Sequence, residues 1–243
     1  MANTAVVTGA ASGIGACVTD MLLAQGWRVY GLDLNTAGLA KHDRLEPVPC
    51  DVRDATQVAA VFAGIRRLNA LIPCAGILRT GPIADAEVED FDIVFDVNMR
   101  GSWLCAKYAL PALKDAAAAG DLARIVFLSS IASIRPKVNG GIYAASKAAV
   151  SQMTKVLAVE CAEHGILVNA LAPATVDTPM VRPALGGNQG SYVPSGVSPL
   201  GRIAQPEDVA RMVRVLLSED TSYITGAIIP VDGGTSAAFV PGR

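Results

Sequence analysis

A short apolar run, TAVVT at residues 4–8, breaks straight into the turn GAASGIG. An amphipathic stretch follows from about Ile14 to Gln25 and stops at Gly26. This succession constrains the fold more than any other part of the chain. Glycines at 9, 13 and 15 allow a turn too tight for side chains. A strand that runs so abruptly into a helix reaches a parallel neighbour only by a crossover. The same alternation then repeats. Apolar runs at 27–32, 47–51, 70–73, 124–128, 167–170 and 227–231 alternate with helical patterns at 56–67, 90–115, 143–164 and 206–218. The alanine tract 116–119 ends at Gly120, and Gly165 stops the helix before it. These patterns predict one α/β domain over residues 1–243: a single-domain doubly wound parallel sheet with helices on both faces. There is no internal repeat, linker or low-complexity tail.

Composition narrows the function classes. An apolar content of 51% against 17% charged residues supports a large core and excludes a disordered chain. The formal charge is −2 with no basic cluster, so neither nucleic acid nor a membrane surface is expected as a partner. The opening MANTAVV has no basic segment followed by an apolar one, and no run is long enough to span a bilayer. Cysteines at 17, 50, 74, 105 and 161 lack CxxC spacing and fit reduced thiols, so the expected location is cytoplasmic. His42 and His164 stand apart from any ligand cluster, and no metal is expected.

Two places carry chemistry of their own. In the segment SSIASIRPKVNGGIYAASK, Tyr143 and Lys147 lie on one helical face at i and i+4. A free tyrosine titrates near ~10 and is a poor base at neutral pH, and a nearby cation in a dry site lowers that value. Ser130 ends the apolar run IVFL and could hold the oxygen that the tyrosine protonates. Taken alone, a Tyr-x-x-x-Lys pair is equally at home on an ordinary helix surface. The second place is Asp33, at the end of the second strand, spaced from Gly13 as a ribose-binding acid is spaced from a glycine turn, or else a helix-cap or turn aspartate. Its carboxylate repels a 2′-phosphate, and no Arg or Lys lies between Thr8 and Gly15 to neutralise one.

With Gly9, Gly13 and Gly15, Asn98 in VNMRG, Ser130, Tyr143 and Lys147, the chain resembles the short-chain dehydrogenase/reductase (SDR) family from Thr8 to Gly234. The resemblance implies a Rossmann fold of seven strands in the order 3-2-1-4-5-6-7. It also implies hydride transfer between NAD(H) and a secondary alcohol or ketone. In that frame Tyr143 is the general acid/base and Lys147 lowers its pKa and binds the nicotinamide ribose. Ser130 positions the substrate oxygen, while Asn98 distorts its helix and supports the proton path through a water. Implied cofactor contacts are Gly9, Ser12, Gly13, Ile14, Gly15, Asp33, Asp51, Val52, Ala75, Gly76, Tyr143, Lys147, Pro173, Val176 and Thr178. Asp51 serves equally well as a helix cap, and Thr178 as a plain turn residue. Two departures stand out: Cys74 replaces the usual second asparagine of Asn-Asn-Ala-Gly, and Ala174 the usual glycine after Pro173. Cys74 reads as a packing residue or a reactive thiol.

Residues 179–198 correspond to the family's substrate lid, here short and poor in apolar bulk. The segments around Arg79, Lys137 and TPMVR are similar to the 2,3-dihydro-2,3-dihydroxybenzoate dehydrogenase subgroup, which carries arginine where this chain has Lys137. Leu78, Lys137, Met180 and Arg182 then lie near the substrate, and a carboxylate is expected on Arg182 with help from Lys137 or Arg79. The alternative is that these are solvated loop charges. Family members commonly form homotetramers, or homodimers, through their two long helices. The apolar face Ala149, Met153 and Val156 with the alanines of 116–119 suits that packing, or an ordinary core. Two rival readings remain at this level: an NADPH-dependent ketoreductase (3-oxoacyl-type or hydroxysteroid), or a non-catalytic nucleotide sensor on the same fold.

Overall fold

A computed structural model describes residues 2–185 and 197–238. Its strands are β1 (Thr4–Thr8), β2 (Arg28–Asp33), β3 (Leu45–Pro49), β4 (Ala70–Pro73), β5 (Arg124–Leu128), β6 (Leu167–Pro173) and β7 (Ile228–Val231). All pair in parallel as one seven-stranded sheet in the order β3-β2-β1-β4-β5-β6-β7. The helices that matter for the site are α1 (Gly13–Ala24), α2 (Ala55–Ala63), α3 (Val88–Phe95), α4 (Ser102–Ala118), α5 (Gly141–Ala162), α6 (Arg182–Leu185) and α7 (Pro206–Leu216).

Both faces of the sheet are dry, because successive strand residues point to opposite sides. Val6, Ile125 and Phe127 pack with residues of α2, α4 and α5, among them Val58, Leu113 and Val150. Ala5, Val7, Val126 and Leu128 pack instead with Val18 and Leu22 of α1 and Val209 and Val213 of α7. Fully burying one such side chain is worth about 1.5–3 kcal/mol, so the two layers hold the sheet rigid under the site. The strand order reverses between β1 and β4. In sheets of this kind the crevice for a ligand opens at the carboxyl ends of the strands, at that reversal.

Several boundaries move from their sequence-based positions. The strand expected at 47–51 lies at 45–49. Its partner β2 ends at Asp33, which pairs with Pro49, so the ladder stops there. Pro47 and Pro49 are tolerated because β3 is the sheet edge and its outer N–H positions need no partner. The helix expected over 90–115 runs as α3 and α4 with a π-helical turn, Asp96–Gly101, between them. The helix expected over 56–67 ends at Ala63, capped by Gly64. Ala116 is fully buried and belongs to the core, whereas Val156 is exposed. Of the expected lid, residues 186–196 lie outside the described residues. No helix among the described residues is long and apolar enough to cross a membrane.

Candidate active site

The loop between β1 and α1 is built by close approach. A Cβ on Gly15 would lie 2.1 Å from the Gly9 carbonyl oxygen, and one on Gly9 would lie 2.9 Å from the Ala75 nitrogen. Gly9 and Gly13 also take φ of 62° and 54°, a region that side chains disfavour. Ser12 occupies the N-cap of α1 but makes no side-chain capping bond, and the first turn carries no acid. A helix start left in that state suits a phosphate. Asp33 accepts a hydrogen bond from the Ala11 N–H at 3.0 Å and from the Asn35 N–H at 3.3 Å, which fixes its carboxylate beside the loop.

A cleft of about 430 Å³ runs across these elements, lined by every residue named above as a cofactor contact. Asp51 does not cap α2: Asp54 does, accepting from the Thr56 and Gln57 N–H groups. Asp51 instead chelates the Arg53 guanidinium, which holds its carboxyl below the usual range. The pair leaves Arg53, a cation lining the cleft, neutralised. At the other end, the Thr175 carbonyl and Asp177 N–H pair with Ala204. Val176 between them accepts the Thr178 hydroxyl at 3.4 Å. The uncapped helix start, the glycine cradle and a lining that runs from Asp33 to Tyr143 fit a nicotinamide dinucleotide.

Ser130, Tyr143 and Lys147 meet in this cleft. The π turn and α5 bring the supporting groups to them. Lys147 is buried; its Nζ donates to the Leu128 carbonyl at 2.8 Å and lies 5.9 Å from the centre of the Tyr143 ring. Burial pushes its pKa down to about 8, against an opposing pull from Cys74. Below about pH 8 the folded chain therefore holds a desolvated ammonium. Between about 8 and the ordinary 10.5 the folded lysine is neutral while the unfolded one keeps its proton. The unfolded chain then binds more protons, so stability from this residue rises across that window. Lys147→Met should raise the Tm of the cofactor-free protein near pH 7, by an increment that shrinks toward pH 10. An increment independent of pH would contradict a desolvated ammonium.

Ser130 Oγ accepts the Ala132 N–H at 3.1 Å, which leaves its own O–H to donate into the cleft. Behind it, Ser133 donates to the Ser130 carbonyl at 2.7 Å, and Ser129, Ser133 and Ser151 share hydroxyl contacts that end on the Lys147 carbonyl. Asn98, fully buried, does not line the cleft. Its amide closes on both backbone groups of Ile77 and donates to Ser146 at 3.1 Å, and Ser146 donates to the Tyr143 carbonyl at 2.7 Å. Cys74 lines the cleft with its thiol desolvated and pushed up to about 12, the state of a packing group and not of a nucleophile.

A smaller cavity of about 70 Å³ shares Ser130, Tyr143, Ala174, Met180 and Val181 with the cleft. It is where the expected substrate residues part company. Leu78, Met180 and Lys137 line it. Arg79 lines the main cleft but pairs with Asp90 at 3.0 Å, and Arg182 lines neither space and pairs with Asp177 at 2.8 Å. The reading of Arg182 as the foremost carboxylate partner thus finds that cation already engaged. Arg135, which the sequence reading passed over, lines the cavity with Lys137. Its place in the same basic loop was the available signal.

A doubly wound sheet with a glycine loop, a carboxylate at the end of β2 and a Ser/Tyr/Lys cluster at its switch point defines an oxidoreductase of the alcohol dehydrogenase/reductase type that uses a nicotinamide cofactor. A family model described as enoyl-(acyl carrier protein) reductase matches residues 9–236, and the chain belongs to the short-chain dehydrogenase/reductase family. It is 37% identical to the cis-4-hydroxycyclohexanecarboxylate dehydrogenase of Sinomonas cyclohexanicum, with 97% of each chain covered. It is 35% identical to the 2-dehydro-3-deoxy-L-rhamnonate dehydrogenase (NAD(+)) of Sphingomonas sp., covering 95% of this chain and 94% of that one. Among solved structures, the ligand-free aldohexose dehydrogenase of Thermoplasma acidophilum superposes with a TM-score of 0.88 at 32% identity, covering 100% of this chain and 96% of the other.

Proposed function

We propose that the protein is an NAD(H)-dependent dehydrogenase of a small cyclic or sugar-derived hydroxy acid. The observation that carries the reading is the meeting of Tyr143, Lys147 and the donating Ser130 hydroxyl at one end of a cleft whose other end carries the glycine loop and Asp33. Bound there, the nicotinamide supplies the two-electron chemistry. The Ser130 O–H holds the substrate oxygen, Tyr143 takes or returns its proton, and the Lys147 charge favours the tyrosinate. Asn98 acts through Ile77 and Ser146, holding the loop after β4 against the Tyr143 turn. The relatives named for a cyclic hydroxy acid, a sugar acid and an aldohexose support a compact polar substrate. The unpaired cysteines suit a reducing cytoplasm. The direct test is NAD⁺ reduction across cyclic hydroxy acids, sugar acids, cyclic diols and steroids. Tight NAD binding without turnover of any of them would favour a nucleotide sensor instead.

Asp33 should select NAD(H) over NADP(H) by at least about tenfold in kcat/KM, roughly 1.4 kcal/mol in transition-state binding. A 2′-phosphate would meet its carboxylate, and Arg53 is already spent on Asp51. Asp33→Ala narrows the gap. Equal use of NADPH and NADH by the wild type would refute this cofactor assignment.

The reading includes assembly as a homotetramer or homodimer. Val156 and Val159 on α5 are 53% and 78% exposed, and Phe91 and Trp103 on α3 and α4 are also exposed. Burying such a stripe against a second copy removes it from water. A monomeric mass in sedimentation at micromolar concentration would refute the assembly.

A further inference from the structure

We propose that Arg135 and Lys137 together read the carboxylate of the substrate, with Arg135 as the principal contact. This rests on the hydroxy-acid reading above and names the residues of the site that enforce it.

The small cavity adjoins the reacting groups, since Ser130 and Tyr143 line both it and the cleft. Its lining among the described residues holds two cations and no carboxylate. The remaining walls are mostly apolar, with Leu78, Ile131 and Met180 among them. Both side chains are exposed at the cavity's rim, yet like charges on one wall oppose each other: partial burial, and after it the Arg135 charge, lowers the pKa of Lys137. An anion placed between them relieves that opposition, and the planar guanidinium offers it a two-pronged contact.

Arg135 is also held for the task. Its backbone N–H donates to the Ile131 carbonyl at 2.8 Å, and its Nη1 donates to the Thr235 carbonyl at 2.7 Å. The turn that presents Thr235 is tied to Asp232, whose carboxylate accepts from the Gly234 and Ser236 N–H groups and the Ser236 hydroxyl. Lys137 sits on a turn closed by the Gly140 N–H to its carbonyl, with Asn139 at φ 64°. Arg79 and Arg182 face the carboxylates of Asp90 and Asp177, whereas the Arg135 guanidinium rests on a carbonyl.

The test compares 4-hydroxycyclohexanecarboxylate with its neutral carboxamide, both assayed by NAD⁺ reduction. The wild type should prefer the acid. Arg135→Ala should lower kcat/KM on the acid roughly ten- to hundredfold, Lys137→Ala by a smaller factor, and neither should change the carboxamide rate by more than a fewfold. NADH binding, followed by fluorescence, should match the wild type in both variants, because neither residue lines the nucleotide cleft. Equal losses on acid and carboxamide with NADH binding intact would overturn the assignment. So would a wild type that oxidises the carboxamide, or neutral cyclic diols, as well as the acid; in that case the dehydrogenase reading survives. Absence of turnover with every alcohol and ketone would remove that reading and this inference together.

Discussion

Tyr143→Phe should lower kcat by roughly 10²-fold or more while NADH still binds. The substitution keeps the ring against Lys147, whose Nζ lies 5.9 Å from its centre, and removes only the hydroxyl. The Ser130 O–H can still donate to the substrate oxygen, so binding of an alcohol or ketone should survive better than turnover. With no tyrosine proton to give or take, the reaction falls back on water. A variant that kept most of the activity would show that another group moves the proton. Ser130→Ala, which removes a donor and not the base, should cost less than Tyr143→Phe.

The second large effect concerns the cradle and not the chemistry. Gly15→Ala should destabilise the fold by about 3 kcal/mol or more, at the upper end of overpacking effects, and weaken NADH binding sharply. The new Cβ would stand 2.1 Å from the Gly9 oxygen and 3.1 Å from that of Thr8, both backbone atoms of β1 and its turn. Neither can swing aside as a flexible side chain can. Gly26→Ala is the contrast. That site has φ of 87° but nothing within 4 Å of the added carbon, so only left-handed strain remains, about 1–2 kcal/mol. Urea unfolding compares the two. A Gly15→Ala protein as stable as the wild type would mean that α1 can pull away from β1 at little cost.

Local patterns in the sequence determined the order of strands and helices, the glycine turn, the acid at the end of β2 and the shared helical face of Tyr143 and Lys147. Each depends on residues a few positions apart, so spacing and periodicity suffice to read it. The tertiary structure decided what depends on how irregular segments and distant elements come to rest against one another. Asp90 and Asp177 claim Arg79 and Arg182, and the Thr235 carbonyl orients Arg135 from 100 residues away. Asn98 reaches Ile77 and Ser146 only because the π turn packs between the loop after β4 and α5. Asp51 leaves the cap of α2 to Asp54 and closes on Arg53 instead. A charge in a sequence has no address until its counter-charge is placed. For that reason the Ser130, Tyr143 and Lys147 cluster proposed to react was legible early, whereas Arg135, proposed here to read the carboxylate beside Lys137, emerged only when the chain was folded.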